Sequence, residues 1–172
     1  MAIAQSDFNT FRGRGYDGQV STIDVSDVVS RTVEDGLLQF GRAAVRGTGT
    51  RSCAPVTGAS TAGDVIGFAV RSLAEFSNTP PANPDNYETG YQEGHVASVI
   101  RDGRMYATCL GGASAGDTVH VVINTAGGEE LGQLRGAADS TNTIELNQVR
   151  WIDDVVDGEI GEIQIDGILT TA

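Results

Sequence analysis

Two histidines are the first residues to consider for chemistry, because a neutral imidazole is the usual general base and a common metal ligand. His95 and His120 are the only histidines in the sequence, so a catalytic triad or a histidine-ligated metal site would have to include one of them. His120 lies between Val119 and Val121 in an extended run, which predicts a side chain facing solvent or a neighbouring chain. No pair of carboxylates stands out as general acid and base either. We expect no catalytic residue and no enzymatic activity.

The segment 112–116, GASAG, matches the G-x-S-x-G pattern of a nucleophile elbow. In that elbow a strand precedes the serine and a helix follows it, because the helix N-terminus and an adjacent amide stabilise the oxyanion. Here the β-type run DTVHVVI follows instead. The pattern therefore predicts a turn of small residues.

Candidate metal ligands and redox groups are few. An acidic turn near the C-terminus has oxygens that could hold Ca²⁺ loosely, but its spacing is not that of an EF-hand, and we expect a solvated turn. The turn contains Asp153, Asp154, Asp157 and Glu159. Cys53 and Cys109 have neither a metal-binding nor a redox-motif spacing, so we expect two reduced, buried thiols. A Walker-type phosphate loop is excluded because the sequence has no lysine. We predict no metal and no cofactor.

Length and composition are those of a single globular domain. A chain of 172 residues can bury about 70% of the surface that it exposes when unfolded. Mean hydropathy is −0.12, and no apolar run approaches the roughly 20 residues that a membrane span needs, so we expect no membrane partner. The N-terminus lacks the charged start and apolar core of a secretory signal, which predicts synthesis in the cytosol.

Charge is distributed unevenly along the chain, whose net charge is −12. Residues 1–51 contain six acids and six arginines, whereas residues 52–172 contain 17 acids and five arginines. The whole negative excess therefore lies after Arg51. Such a surface repels phosphate groups, so we expect no binding to nucleic acid. All basic side chains are arginines, whose planar guanidinium suits pairing with carboxylates or carbonyl oxygens.

The elements that must position these residues are short strands. Glycine occurs 23 times, and no segment has a convincing helical period. Strands are predicted at residues 37–46, 51–56, 64–72, 118–123, 143–153 and 160–169, and residues 20–29 are predicted to be extended. A hairpin is predicted between 95–101 and 104–110, because Asp102-Gly103 is a common two-residue turn. We therefore predict an all-β fold: a small β-barrel or β-tulip-like sandwich of short antiparallel strands.

Two of the predicted strands end in the same way. Arg46 and Arg71 each close an apolar run that follows a glycine, and we expect both strands to deliver their arginine to a common edge. Arg42, Arg46 and Arg51 lie where the charge balance changes. We expect these three to pair with neighbouring carboxylates rather than to take part in catalysis.

The first 18 residues fit neither a helical nor a strand period. They combine glycine joints with aromatic residues and arginines, which are enriched in the cores of protein interfaces. The segment includes Phe8, Phe11, Arg12, Arg14 and Tyr16. We prefer an arm that orders against another chain to a disordered tail. Residues 1–35 are then an extended N-terminal arm and connector, and residues 36–172 a single β domain with an exposed loop at 73–94.

Four stretches of the sequence carry a resemblance to a known family. They are FNTFRGRGYDGQV, VEDGLLQFGRAAVRGTGTR, DVIGFAVRS and VRWIDDVVDGEIGEIQI. Their order and content resemble the structural cement, or capsid decoration, proteins of tailed bacteriophages. The similarity spans most of the chain and is strongest at residues 9–20, 40–49, 66–71 and 150–165.

The resemblance implies a β-barrel or β-tulip-like domain, usually a homotrimer, on the outer capsid surface between capsomers of the major capsid protein. Such a protein clamps the capsomers against internal DNA pressure, and its N-terminal arm reaches onto the shell. Capsid contacts are then expected from Phe8, Phe11, Arg12, Arg14 and Tyr16. Arg42, Arg46 and Arg51 are expected to form ion pairs with carboxylates of the trimer or of the shell.

A carbohydrate-binding β module on the virion surface is the alternative function. It would use the 73–94 loop and a few aromatic side chains as stacking platforms for sugar rings. The candidates are Tyr87, Tyr91, Tyr106 and Trp151.

Overall fold

A computed structural model describes residues 15–22, 25–72, 89–125 and 128–168 of the chain. These ranges contain eleven β-strands and a turn of 3-10 helix at Ala62–Asp64. The strands are β1 (Asp27–Val33), β2 (Leu38–Gln39), β3 (Ala43–Arg46), β4 (Ser52–Pro55), β5 (Val65–Ala69), β6 (Gly90–Tyr91), β7 (Val96–Leu110), β8 (Thr118–Val122), β9 (Leu134–Arg135), β10 (Thr143–Trp151) and β11 (Ile160–Ile165). Among the described residues, no helix is long and apolar enough to cross a membrane.

Alternation of apolar and polar residues accounts for the C-terminal strands. In β11, Ile163 and Ile165 are buried, while Glu162 and Gln164 between and beside them are partly exposed. In β8, Val119 and Val121 are buried and alternate with the partly exposed Thr118 and His120, and Val122 at the end of the strand is buried too. Apart from Val122, each strand thus turns one face to the core and the other outward, as a period of two residues requires. The strands predicted to begin near residues 118, 143 and 160 are confirmed as β8, β10 and β11.

The strand pairings close on themselves twice. β1, β4, β3, β5 and the first half of β7 form one closed ring, because β1 pairs with both β4 and β7. The second half of β7, β11, β10, β8 and β9 form another, closed by the parallel pairing of β7 with β9. We call these the first and second rings. The prediction of an all-β fold with a small barrel is confirmed.

β7 is one uninterrupted strand, so the hairpin predicted across Asp102-Gly103 is wrong. Before this point β7 pairs with β1 and β5, and after it β7 pairs with β11. Gly103 has φ +121° and lies opposite Ile165, at the place where the strand passes from the first ring to the second. Here the positive φ that glycine permits lets the strand bend, and the chain does not reverse its direction.

The single strand predicted at residues 37–46 is also wrong in part. β2 and β3 are separate strands, and a turn at Phe40–Arg42 divides them. Gly41, with φ +76°, lies in this turn, and a Cβ atom there would come within 2.9 Å of the Asp17 Cβ atom. Residues 17–18 thus pass close to the turn, a contact between distant segments that local sequence does not reveal.

Arg46 and Arg71 do not share an edge. β3 and β5 are antiparallel, with Ala43 opposite Phe68 and Val45 opposite Val65. Arg46, the last residue of β3, and Arg71, which follows β5, therefore lie at opposite ends of the pair. The expectation of a common edge is wrong, because a common edge would require the two strands to run parallel.

The buried apolar side chains form two clusters. The larger one fills the second ring and its junction with the first, and includes Trp151, Met105 and Phe68. The smaller one lies within the first ring and includes Val33 and Tyr91. Tyr91 belongs to β6, which pairs with β2, so this end of the predicted loop at 73–94 is a buried strand. Residues 73–88 of that loop lie outside the described residues.

Candidate functional site

The first described residues are fastened to the second half of β7. The Asp17 carboxylate accepts hydrogen bonds from the Thr108 backbone N–H at 2.6 Å and the Thr108 hydroxyl at 2.8 Å. Gly18 donates its N–H to the Tyr106 carbonyl at 2.9 Å and accepts one from the Arg71 N–H at 2.7 Å. Carboxylate acceptors make the stronger kind of hydrogen bond. The start of the described chain is therefore a fixed point on the barrel.

A column of aromatic rings and one guanidinium runs inward from this fixed point. The Arg71 guanidinium carbon lies 5.0 Å from the centre of the Tyr16 ring and 5.6 Å from that of Phe40. The Phe40 ring in turn meets the Tyr91 ring edge-on, with centres 5.2 Å apart. Tyr91 is buried and donates its hydroxyl to the Val70 carbonyl at 2.7 Å. The column joins the exposed Tyr16 side chain to the buried apolar cluster inside the first ring of strands.

Arg71 is the residue of this site that sequence reasoning missed. The sequence drew attention to Arg71 only as the end of an apolar run. Its two aromatic neighbours come from distant parts of the chain, so no local pattern identifies the contact. The single available signal was the tyrosine in an arginine-rich segment, which pointed to Tyr16 but not to its partner.

The three arginines at residues 42, 46 and 51 have different surroundings. Arg42 is mostly buried and pairs with the Glu130 carboxylate of the same chain. It also donates a hydrogen bond to the Leu131 carbonyl at 3.1 Å. Arg46 and Arg51 are exposed. Whether any of the three pairs with another chain stays a prediction.

A groove of about 680 Å³ lies beside β3 and β4, and Arg42 and Arg46 both line it. Apolar side chains, including Val45 and Pro55, form part of its wall. Near its rim Asp64 accepts hydrogen bonds from the Thr61 hydroxyl and N–H, which lower the pKa of that carboxyl, and the charge of Arg46 lowers it further. The groove is thus an apolar surface bordered by ionised groups of both signs.

Glu34 holds the turn between β3 and β4. Its carboxylate accepts hydrogen bonds from the Thr48 N–H at 2.7 Å, the Thr48 hydroxyl at 3.0 Å and the Gly49 N–H at 3.1 Å. Together with a contact from Ser52, these bonds lower the pKa of Glu34, the Thr48 N–H first among them. The turn therefore places Arg51 next to β1, where the Arg51 carbonyl accepts the Thr32 N–H at 3.0 Å.

The G-x-S-x-G segment is a turn, as predicted. The Ser114 N–H donates to the Asp117 carboxylate at 2.7 Å, and the Ala115 N–H donates to that of Asp154 at 2.9 Å. Asp157 likewise accepts the Gly111 N–H at 2.7 Å. Two acids of the predicted acidic turn thus hold backbone amides. Within the described ranges, no group of three or more histidine, cysteine or acidic side chains is placed to hold a metal ion.

Both cysteines are buried, free thiols, in agreement with the sequence prediction. Burial raises the pKa of the Cys53 thiol and of the Cys109 thiol to about 11 each. A thiol that stays protonated is a poor nucleophile and a poor metal ligand. The cysteines therefore belong to the core rather than to a site.

The aromatic platform expected of a carbohydrate-binding module is largely missing from the described surface. Trp151 is 1% exposed and Tyr91 is 2% exposed, so neither can stack on a sugar. Both rings are buried in the two core clusters. Tyr106 is partly exposed, and Gly15 lies so close to its ring that an added Cβ would come within 2.5 Å of the Tyr106 Cδ2 atom. Tyr87 lies outside the described residues. The expectation that Tyr91 and Trp151 supply platforms is wrong, because inward-facing strand positions place them in the core.

Of the residues expected to contact a partner through the arm, Tyr16 is the one that the structure describes. It is 52% exposed. Phe8, Phe11, Arg12 and Arg14 lie outside the described residues.

Comparison with known proteins gives a family and a fold. Residues 3–166 match the sequence model of the phage family described as Structural cement protein (E217 gp24/Pam3 gp6). Among solved structures, a chain of the capsid of Myoviridae phage XM1 is similar, with a TM-score of 0.68 and 16% sequence identity. That alignment covers 98% of this chain and 100% of the other, and it establishes a shared fold. None of the curated proteins matches the chain.

Proposed function

We propose that this protein, which belongs to the family of phage structural cement proteins, binds the outer capsid surface between capsomers and stabilises the head. Membership of the family makes it a structural protein of the virion that associates with the capsid. The finer parts of the proposal are the major capsid protein as direct partner, the outer face as the site and a homotrimer as the bound form.

The fixed point at residues 15–18 is the observation that carries the proposal. Residues 1–14 are followed directly by a backbone segment that Asp17 and Gly18 attach to the barrel, beside the exposed Tyr16 ring. Fully extended, 14 residues reach roughly 50 Å. An arm with a rigid base loses less conformational entropy on binding than one whose base also has to be ordered.

We propose that the arm supplies the apolar part of the capsid contact. Aromatic and arginine side chains are the residue types most often central to interfaces. Burial of the two phenylalanines and charge pairing of the two arginines with capsid carboxylates would offset the entropy of ordering the arm. The residues are Phe8, Phe11, Arg12 and Arg14, together with Tyr16 at the base.

Arg46 and Arg51 are the proposed sites of further ion pairs with the shell or with neighbouring copies. Both are exposed, and both lie at the ends of the turn that Glu34 holds. Arg42 already has Glu130 as a partner, so it contributes by keeping one wall of the groove in place. Exposed pairs of this kind contribute modestly, about 0–1 kcal/mol each.

We infer that the protein acts by binding alone. The features that suggested chemistry have structural roles: the G-x-S-x-G segment is a turn held by aspartates, and the thiols are buried. Three arms in a trimer would raise the effective concentration of each arm at the shell, so modest single contacts give lasting attachment.

The test is to add the purified protein to heads that lack it and to determine their structure by electron cryo-microscopy. We expect density on the outer surface between capsomers, and heads that withstand a higher temperature before they release DNA. Density at any other place on the head, or unchanged heat resistance at full occupancy, would contradict the proposal.

Matched variants test the arginines in the same assay. Arg46→Glu should weaken attachment, because it reverses the charge of an exposed arginine at one end of the turn, and Arg51→Glu should do the same at the other end. Arg150→Glu makes the same change of charge at an exposed arginine on β10 and should bind as the unmodified protein does. Equal losses in the turn variants and in Arg150→Glu would show a general effect of net charge instead.

A further inference from the structure

β1 has an open edge along part of its length. On one side it pairs with β7 from Asp27 to Thr32. On its other side it pairs with β4 at two positions, Thr32 and Val33. No described strand pairs with that side between Val28 and Ser30. An open edge carries unused backbone donors and acceptors, which another strand can take up.

The hydrogen bonds at the end of β1 identify the groups that face outward. The Val33 N–H donates to the His95 carbonyl before β7, and the Thr32 N–H donates to the Arg51 carbonyl on the opposite side. The backbone N–H and C=O groups of successive residues point to opposite sides of a strand. The N–H and C=O groups of Val28 and Ser30 therefore point away from β7, toward the open side. The Ser30 carbonyl has one weak contact, from the Arg31 guanidinium at 3.4 Å.

The side chains on this edge are accessible as well. Val28 is 42% exposed, Ser30 is exposed, and Val25, which precedes the strand, is 96% exposed. The edge contains neither proline nor lysine, which commonly block strand addition. Its charged residues are Asp27 and Arg31, one at each end.

These two charges make the edge complementary to itself. If two copies of β1 lie antiparallel with Val29 opposite Val29, then Val28 faces Ser30 and Asp27 faces Arg31, each twice. Since Val28 and Ser30 are the residues whose backbone groups point outward, the same register forms four backbone hydrogen bonds. Asp27 already pairs with Arg101, and its carboxylate remains 48% exposed for a second cation.

We propose that β1 pairs with β1 of a second copy of this chain, antiparallel and about a two-fold axis at Val29. The contact extends the first ring of each copy into a sheet that runs through both. It requires no capsid, so it does not rest on the proposed function. If that function holds as well, a two-fold contact would link neighbouring cement assemblies on the shell.

Cysteine cross-linking of the free protein tests the register. In the proposed pairing, residues 28 and 30 of two copies are directly opposite, at the roughly 5.5 Å Cα separation that a disulfide accepts. A mixture of the Val28→Cys and Ser30→Cys variants should form a disulfide-linked dimer under mild oxidation. Neither variant alone should do so, because residue 28 lies about 8 Å or more from its own copy across the axis. The natural cysteines are buried and common to all samples.

Two further variants act as controls. A mixture of Val28→Cys and Thr32→Cys reports a register shifted by two residues, and it should not cross-link. Ser30→Pro, placed in the Val28→Cys background and mixed with Ser30→Cys, removes one outward N–H with which no described strand of the same chain pairs. It should keep the melting temperature of its parent and lose the cross-link.

Charge reversal provides a second readout by sedimentation velocity. Asp27→Arg alone and Arg31→Asp alone each place like charges opposite one another, so the two-fold association should be lost in either variant. An equal mixture of the two variants restores opposite charges and should restore the association.

Equal cross-linking of single variants and mixture would overturn the proposal. So would a dimer that survives Ser30→Pro, or charge variants that associate like the unmodified chain. If Ser30→Pro lowers capsid binding while the free protein shows no mixed disulfide, the edge receives a capsid strand and the proposal is wrong.

Discussion

Arg71 shows how a single side chain holds residues 15–18, the base of the proposed arm. Its guanidinium lies between the rings of Tyr16 and Phe40, and its backbone N–H donates to Gly18. One residue thus contacts the described start of the chain through both its side chain and its backbone. The sequence pointed to Tyr16 because its segment is rich in aromatic residues and arginines. The contact with Arg71 could not be predicted in this way, because it joins two segments that are distant in the chain.

The buried thiols lead to a prediction at the residue scale. Because burial raises the pKa of Cys53 and Cys109 from 9.0 to about 11, both should stay protonated and unreactive in the native protein at pH 8. Ellman's reagent should detect neither thiol before unfolding and both after it in guanidinium chloride. Rapid reaction of either thiol in the folded protein would contradict their burial.

The same shifts determine how stability should change at high pH. A folded-state pKa above the unfolded value stabilises the fold below pH 9, and that stabilisation is lost as pH rises from 9 toward 11. The loss should be about 1.4 kcal/mol per pH unit for each thiol. Denaturation curves between pH 8 and 11 would measure it, with a Cys53→Ala/Cys109→Ala variant as the control that falls less steeply.

Strand β7 organises the molecule at the scale of elements. It belongs to both rings, and it exchanges its partners β1 and β5 for β11 at Gly103. Alternation within a strand is a local property, and for that reason β8, β10 and β11 could be predicted. The partner of a strand is not a local property. Asp102-Gly103 has the sequence of a hairpin turn, yet its two flanks pair with other strands.

Gly103→Ala should destabilise the protein at the point where β7 passes from the first ring to the second. The glycine has φ +121°, and an added Cβ would lie 2.9 Å from the Ser26 Cβ atom. Backbone strain of this kind costs about 1–3 kcal/mol, and the close contact adds to it. Chemical denaturation would measure the change in the free energy of unfolding.

Gly116→Ala is the matched control for that substitution. Gly116 also has a positive φ, +95°, but an added Cβ there would meet no atom within 4 Å. It should therefore show the strain without the clash. If Gly103→Ala lowers the free energy of unfolding no more than Gly116→Ala does, β7 tolerates a side chain where it passes from one ring to the other.

At the scale of the whole molecule, the sequence predicted the fold class and the family, but not the two-ring arrangement. Composition, turn residues and alternation are sufficient for an all-β barrel. The sharing of one long strand by two rings is set by pairings between distant segments. The described part of the predicted arm and connector includes β1, which is a strand of the first ring. We therefore propose that residues 1–14 alone form the arm.

Capsid attachment of a chain that lacks residues 1–14 tests the central claim most directly. The truncation leaves Asp17, Gly18 and the Arg71 column in place, so the protein should fold with the melting temperature of the full chain. Occupancy of undecorated heads would be measured by sedimentation over a range of protein concentrations. The account predicts that the full chain saturates the heads and that the truncated chain stays unbound at the same concentrations. Saturation of the heads by the folded, truncated chain at equal concentration would contradict it.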